Sequence, residues 1–352
     1  MSLARAVGEF PAKPFEVQQM DRAGRNPLRA FGRMAVNQLM QRVVTASMRA
    51  VLRAEAQGRD ALLRHVERQR GIHMRFDAPT VARLNAEAVR QAGPGAGLPA
   101  PPAPSEWFAP RDTPARGFVF YVHGGSFIAE RSPRITQLVA RFAAAAQARV
   151  FAPSYRLAPE HPCPAAIDDI VAAWSWFRDT WPDEPVVALA ESAGAAILLA
   201  ALQRARDLGM KMPSGVVLLS PWVDLSLQSW SVTAASLLGT TPYTMESLAL
   251  VARFYLDGRS PTDPAASPLF GSFEGFPPML IHASRGDILY DDAVRLAERV
   301  RAVGGDLTVR LWTEETHVWE RMQTAKARQS IELAADFMRR RLDADPRPAK
   351  PN

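Results

Sequence analysis

The stretch VVALAESAGA, residues 186–195, decides the fold. Its first five residues are apolar, as in a buried parallel strand, and a helical pattern follows from Ala193. A strand that continues directly into a helix through Glu-Ser-Ala-Gly predicts a tight turn with Ser192 at its tip. The serine hydroxyl would then lie at one edge of a sheet, near the positive end of the helix. The other interpretation is that Ser192 is an ordinary helix N-cap.

Strand and helix patterns alternate on both sides of this turn. Apolar runs separated by helices predict a mostly parallel central sheet with helices on both faces. Ligands of such sheets bind beyond the carboxyl ends of the strands, so the residues that follow each strand are candidates for chemistry. The predicted strands are Gly117–Val122, Arg149–Ser154, Val186–Ala190, Gly215–Ser220, Met279–Ala283 and Leu307–Trp312. The predicted helices between them are Ile135–Gln147, Ala165–Phe177, Ala193–Leu208 and Asp291–Val303.

The N-terminal third of the chain has a different pattern. Helical spacing is found at 29–56, at about 60–67 and at about 79–91, before a Gly/Pro-rich stretch at 93–104 that can be neither helix nor inner strand. We therefore expect residues 1–104 to form an N-terminal helical extension that contributes to a cap and ends in a linker.

The rest of the chain is expected to form one catalytic domain, residues 105–345, followed by a short C-terminal tail at 346–352. Fifty-five residues lead from Trp222 to Pro277, which is about twice what one crossover helix with its loops requires. An insertion at about 223–244 is therefore predicted to complete the cap.

Composition excludes several classes of protein. The chain has 352 residues, 47% hydrophobic and 22% charged, which excludes wholesale disorder, and the single Cys163 excludes a disulfide framework or a thiolate-rich metal site. The net charge of +6 is concentrated in residues 1–75, and the remainder is close to neutral, so no nucleic-acid partner is expected. With neither a long apolar run nor a secretory signal, a cytoplasmic protein is predicted.

The segment 29–56 allows two interpretations. Its apolar residues recur at helical spacing, while Arg42, Arg49 and Arg53 fall on the opposite face. We favour a helix that packs on the main domain and leaves its arginines in water. The alternative is weak contact with an acidic membrane surface. The sequence also leaves open whether the protein forms a homodimer.

A serine nucleophile needs a base and an orienting acid. Of the six histidines, His317 follows the last predicted strand at the catalytic edge of the sheet. Asp287 follows the preceding strand at the same edge, whereas Glu314 and Glu315 lie on the loop of His317 and are weaker candidates for the acid. The order Ser192, Asp287, His317 is the one typical of α/β hydrolases.

The sequence HGGSF, residues 123–127, follows another predicted strand. Two glycines after a strand allow backbone N–H groups to point into a cleft, as an oxyanion hole requires. An ordinary glycine turn is the alternative, and the nearby serine turn favours the functional interpretation.

Five motifs occur in a fixed order: HGG at 123–125, YRLAPEHP at 155–162, ESAG at 191–194, SPWVDL at 220–225 and DILYDD at 287–292. Together they resemble the hormone-sensitive-lipase-like carboxylesterase branch of the α/β-hydrolase superfamily, over residues 105–340. The resemblance implies an α/β-hydrolase fold with a helical cap. It also implies roles for the following residues: Ser192 as nucleophile, Asp287 as acid, His317 as base, and the N–H groups of Gly124, Gly125 and Ala193 as the oxyanion hole.

The same resemblance implies ester hydrolysis through an acyl-enzyme, with a small-molecule ester as substrate and neither a metal nor a cofactor. A cap made of the N-terminal helices and the insertion at 223–244 would form a partly closed apolar pocket, so short- to medium-chain acyl esters are expected. A lactone or amide hydrolase with the same triad is the alternative, as is a non-catalytic binding protein on this scaffold. The chain departs from the family at three positions. Ala190 replaces the first glycine of the serine turn, Ser126 replaces a third glycine, and Glu191, expected to point away from the cleft, replaces an aspartate.

Overall fold

A computed structural model describes residues 16–20, 27–81, 88–91, 100–111, 113–239 and 241–344. This part of the chain contains a nine-stranded sheet in the order β1-β9-β8-β7-β6-β4-β5-β3-β2. The strands are β1 (Glu16–Gln19), β2 (Ala88–Gln91), β3 (Ser105–Pro110), β4 (Phe118–Val122), β5 (Arg149–Pro153), β6 (Val186–Glu191), β7 (Gly215–Leu219), β8 (Met279–Ser284) and β9 (Leu307–Trp312). β3 runs antiparallel to both of its neighbours, and the other described pairs are parallel.

Helices cover both faces of the sheet, with α3 and α9 on one face and α4, α5 and α8 on the other. The described helices are α1 (Pro27–Ala56), α2 (Arg59–Val81), α3 (Pro133–Ala146), α4 (Ala165–Thr180), α5 (Ala193–Asp207), α6 (Trp230–Leu238), α7 (Met245–Leu256), α8 (Tyr290–Ala302) and α9 (Ala325–Ala344). None of them is long and apolar enough to cross a membrane.

The strands are apolar on both faces because both faces are covered. In β4, Phe118, Phe120 and Val122 belong to the core under α4 and α5, whereas Val119 and Tyr121 belong to the core under α3 and α9. This alternation with a period of two explains why the central strands read as unbroken apolar runs in the sequence.

The predicted α/β-hydrolase-type architecture is confirmed, with the six central strands and the four helices between them ending within a few residues of the predicted bounds. The N-terminal extension is not wholly helical, because β1 pairs with β9, and β2 pairs with β3. The predicted helix at 79–91 is wrong at its end. α2 ends at Val81, and Ala88–Gln91 forms β2, where pairing with the sheet edge decides the conformation. Residues 93–99 of the predicted linker (93–104) and the predicted C-terminal tail (346–352) lie outside the described residues.

The segment between β7 and β8 holds both α6 and α7, so the helical insertion continues past 244. Side chains of α1, in the N-terminal extension, contact this insertion. Arg253 of α7 forms a two-pronged ion pair with Glu55, each N–O distance being 2.7 Å. The Gln41 side-chain amide donates to the carbonyl of Thr241 at 3.0 Å. The two segments expected to make the cap therefore contact each other.

Candidate active site

The turn after β6 holds Ser192 in a backbone conformation that L-residues seldom adopt, with φ 51° and ψ −130°. The chain doubles back so closely that a Cβ atom on Gly194 would collide with the carbonyl oxygens of Val122 and His123. Ala190 replaces the first glycine of the motif and is accommodated as a fully buried residue of β6. The serine side chain is therefore presented at the carboxyl edge of the sheet as expected.

The structure brings together three side chains that are far apart in the sequence. Nε2 of His317 lies 2.8 Å from Oγ of Ser192. Nδ1 of the same ring lies 3.1 Å from each carboxylate oxygen of Asp287. Each of the three residues follows a parallel strand at its carboxyl end, which is why they meet at one edge of the sheet. A hydroxyl, an imidazole and a carboxylate in this order can generate a serine nucleophile.

Asp287 is buried, and its carboxylate is held by several donors. Burial acts to raise the pKa of this carboxyl group, but the interaction with His317 and the hydrogen bonds from His317, the Ser220 hydroxyl and the Leu289 N–H outweigh it. The pKa of Asp287 therefore lies below its ordinary value, and the side chain is an anion that can orient the imidazole.

Glu315, a weaker candidate for the acid, and the buried His282 have other partners. Glu315 pairs with Nζ of Lys326 at 2.9 Å instead of with the imidazole. His282, another of the six histidines, is fully buried in β8 and bonds to the hydroxyl of Ser330 at 2.7 Å. Neither residue contacts Ser192 or His317.

The loop after β4 packs closely against the serine turn. A Cβ atom on Gly124 would lie 3.0 Å from Cβ of Ser192, and Gly125 has φ 136°, so both positions favour glycine. The N–H of Gly124 donates to Oε1 of Glu191 at 3.3 Å. Among the described residues, the N–H groups of Gly125 and Ala193 have no such acceptor. These two amides therefore remain available to a ligand beside Ser192.

Glu191 occupies the buried side of the serine turn. Its carboxylate accepts hydrogen bonds from the Tyr121 hydroxyl at 2.9 Å and from Nε of Arg321 at 2.8 Å. Burial acts to raise the pKa of Glu191, but Arg321 beside it outweighs burial and holds the pKa below its ordinary value. The pair ties the loop that carries His317 to the residue before Ser192. Sequence analysis missed Arg321, because nothing in its local pattern marks it.

His123 organises the glycine loop, as its position suggests. Its Nδ1 lies 2.6 Å from the carbonyl of Gly124, and its ring stacks on Tyr155, whose hydroxyl donates to the His123 carbonyl at 2.7 Å. Burial, together with the nearby Arg131, lowers the pKa of His123 to about 3. The imidazole is therefore neutral and structural at physiological pH.

The insertion places Tyr243 over the site. Its ring meets that of His317 edge-on, with the ring centres 5.5 Å apart. Within the described residues, no group of three His, Cys, Asp or Glu side chains is arranged to hold a metal ion.

A protein-family model described as "alpha/beta hydrolase fold" matches residues 119–321. An acetyl-hydrolase from Streptomyces hygroscopicus is 35% identical over 67% of this chain and 79% of its own length. An esterase from Acinetobacter venetianus is 31% identical over 63% of this chain and 75% of its own.

Solved structures are also similar. An esterase from the bacterial hormone-sensitive lipase family is 27% identical, with a TM-score of 0.68, over 85% of this chain and 98% of that one. The protein EstE5, from a crystal soaked with p-nitrophenyl butyrate, is 29% identical with a TM-score of 0.67, over 77% of this chain and 92% of that one. The residues matched by the family model include the serine turn, the glycine loop, Asp287 and His317.

Proposed function

Because this chain belongs to the alpha/beta hydrolase fold family, we propose that it is a serine carboxylesterase that cleaves short- to medium-chain acyl esters through an acyl-enzyme. Esterase activity is the part that the relatives support, since they are named as esterases and acetyl-hydrolases. The single observation that carries the mechanism is the chain of contacts from Ser192 through His317 to Asp287.

In the proposed reaction, Oγ of Ser192 attacks the ester carbonyl while Nε2 of His317 takes the hydroxyl proton. The imidazolium, stabilised by the carboxylate of Asp287, then gives that proton to the leaving alcohol. In deacylation, water loses a proton to His317 and attacks the acyl carbon. The acyl bond to Oγ of Ser192 then breaks, His317 returns the proton to Oγ, and the carboxylic acid is released. The 2.8 Å from Nε2 of His317 to Oγ of Ser192 is within the range that proton transfer needs. The 3.1 Å from Nδ1 to Asp287 is a hydrogen bond that orients the imidazole and keeps its proton on Nδ1.

The negative charge on the tetrahedral intermediate is assigned to backbone donors. The N–H groups of Gly125 and Ala193 support this role, since they have no acceptor in the described structure. The N–H of Gly124, the predicted third donor, donates to Glu191 in a long hydrogen bond of 3.3 Å. It contributes to stabilising the oxyanion only when it gives up this bond and donates to the oxyanion instead. One such donor contributes about 3–4 kcal/mol to catalysis.

We expect the preferred acyl chain to be short or medium because the cap limits the room above the triad. Tyr243 stands edge-on against His317, so a long acyl or alcohol group must pass its ring. A series of p-nitrophenyl esters from acetate to palmitate should give the highest kcat/KM at butyrate to octanoate. Replacing Tyr243 by alanine should move this maximum toward longer chains, with phenylalanine as the matched control.

A maximum at laurate or beyond would contradict the proposed substrate range, and no hydrolysis of any ester would contradict the function itself. Lactones and amides react through the same acyl-enzyme, so they belong in the same screen. A binding protein on this scaffold would bind the esters without turnover.

We further propose that the cap contacts anionic lipid surfaces. On α1, the side chains of Leu39 and Val43 are about half exposed or more, and the neighbouring Arg42, Arg49 and Arg53 are exposed as well. Opposite charge and exposed apolar groups are what binding to an anionic interface requires.

The end of α6 extends this surface. Leu237 is 78% exposed and Leu238 59%, and the adjoining Gly239 lies against Gln38 of α1. The segment that follows leads to Tyr243 over the triad, so a bound lipid surface would adjoin the entrance of the site.

Sedimentation with phosphatidylglycerol vesicles should show binding that decreases as salt is raised, and that is absent with phosphatidylcholine. The triple change Arg42→Glu, Arg49→Glu, Arg53→Glu should abolish it, while Arg116→Glu, on another surface, should not. Equal binding to both lipids, or none at low salt, would contradict the proposal. If Leu237→Asp instead converts a dimer to a monomer in light scattering, the surface is an interface between two copies.

A further inference from the structure

Arg70 of α2, in the N-terminal extension, contacts the residue that follows the glycine loop, and its side chain is 17% exposed. Its Nε donates to the carbonyl of Ile128 at 2.7 Å, and its Nη2 donates to the carbonyl of Ala158 at 2.9 Å. The guanidinium also pairs with both oxygens of Glu160, at 2.8 Å and 3.0 Å. All three guanidinium nitrogens are therefore engaged.

The two carbonyls that Arg70 binds belong to segments that shape the loop. The N–H of Ile128 donates to the carbonyl of Gly125 at 3.1 Å, which closes the turn beside Ser192. The N–H of Ala158 donates to the carbonyl of Phe127 at 3.1 Å. Arg70 thus binds Ile128 at the end of the turn and Ala158 in the segment that bonds to Phe127 within the turn.

This turn needs outside support because its backbone is strained. Gly125, Ser126 and Phe127 all have positive φ, at 136°, 53° and 64°. Two of these residues are not glycine, and such a run persists only when the surroundings fix it. Arg70 is one of the surrounding contacts, since it binds the carbonyl of Ile128 at the end of the turn.

We propose that Arg70 is a positioning residue for the oxyanion loop, so that the N-terminal extension takes part in turnover as well as in packing. The proposal rests on the proposed function, since it assigns the Gly125 N–H to the oxyanion. Arg70 itself lies outside the matched region 119–321 and acts through the backbone of the loop.

The chain offers a matched control in Arg253, which joins the extension to α7 of the insertion by a two-pronged pair with Glu55. This pair is on the cap and touches neither the loop nor the triad. A loss that is specific to Arg70 therefore separates positioning of the loop from mere attachment of the extension.

Steady-state kinetics with p-nitrophenyl butyrate should be measured for Arg70→Gln, Arg70→Lys and Arg253→Gln in the full-length protein. We expect Arg70→Gln to lower kcat by roughly 10- to 100-fold with little change in KM, because a misplaced donor weakens the transition state more than the substrate complex. Lysine lacks the planar fork and should recover only part of this loss. Arg253→Gln should stay within about threefold of wild type.

Affinity for an acyl trifluoromethyl ketone gives a readout that stability does not move. Oγ of Ser192 bonds to the ketone carbon, the carbonyl electron pair becomes the oxyanion, and the hydroxyl proton passes to His317. For Arg70→Gln, Ki should rise by the same factor as kcat/KM falls. Glu160→Gln keeps both carbonyl contacts of Arg70, so it should lower kcat/KM and raise Ki by smaller factors than Arg70→Gln does.

An unchanged kcat and Ki in Arg70→Gln, or losses equal to those of Arg253→Gln, would overturn the role of Arg70. So would a loss that merely follows the unfolded fraction in a thermal melt. A wild-type protein that hydrolyses no ester would instead contradict the proposed function, so the two failures are distinguishable.

Discussion

Replacing Ser192 by alanine is expected to lower ester hydrolysis by about 10⁴- to 10⁶-fold, because the acyl-enzyme can then no longer form. The fold should survive the change. The Ser192 side chain makes its hydrogen bond to His317 and lies at the edge of the core, so its loss leaves no large cavity. We expect a melting temperature within a few degrees of wild type. Turnover of p-nitrophenyl butyrate and a thermal melt on the same preparation check both statements.

A fluorophosphonate probe makes this test independent of the substrate. An activated serine attacks phosphorus and expels fluoride, whereas an unactivated hydroxyl does not react. The wild-type protein should be labelled on the peptide that holds Ser192, and Ser192→Ala should not be labelled. Ser260→Ala, which changes an exposed serine, should be labelled and active like wild type. Residual activity above about one per cent in Ser192→Ala would show that another group is the nucleophile.

The centre of the fold could be predicted because burial leaves a local trace in the sequence. The strands β4, β6 and β8 are buried on both faces and are therefore mostly apolar, so their positions can be predicted without knowledge of their neighbours. The residues at their carboxyl ends then identify the site. The edge strands β1 and β2 have only four residues each, and pairing partners far away in the chain decide their conformation.

The supporting contacts of the site could not be predicted for a related reason. Arg321 and Arg70 are two of 42 basic residues, and neither has a local pattern that distinguishes it. Each acquires its role from a carboxylate contributed by a separate segment, Glu191 for Arg321 and Glu160 for Arg70. Such roles depend on tertiary contacts between distant segments, which periodicity and motif spacing do not encode.

The second large effect is expected at Asp287, whose change to asparagine should lower kcat/KM by about 10⁴-fold. The surroundings determine how the new amide would lie. Oδ1 of Asp287 already accepts the N–H of Leu289 at 3.0 Å, so the amide oxygen should take that position. The amide nitrogen then takes the place of Oδ2, 3.1 Å from Nδ1 of His317, and donates to it.

An imidazole that accepts at Nδ1 must carry its proton on Nε2, which then faces the Ser192 hydroxyl as a donor and cannot take a proton from it. The loss should therefore fall on kcat, with the fold intact, because asparagine has nearly the shape of aspartate. Glu315→Gln is the matched control, since Glu315 lies on the loop of His317 but pairs with Lys326, and it should stay within about threefold of wild type. If Glu315→Gln lost more activity than Asp287→Asn, the orienting acid would be Glu315, and the triad would have to be reassigned.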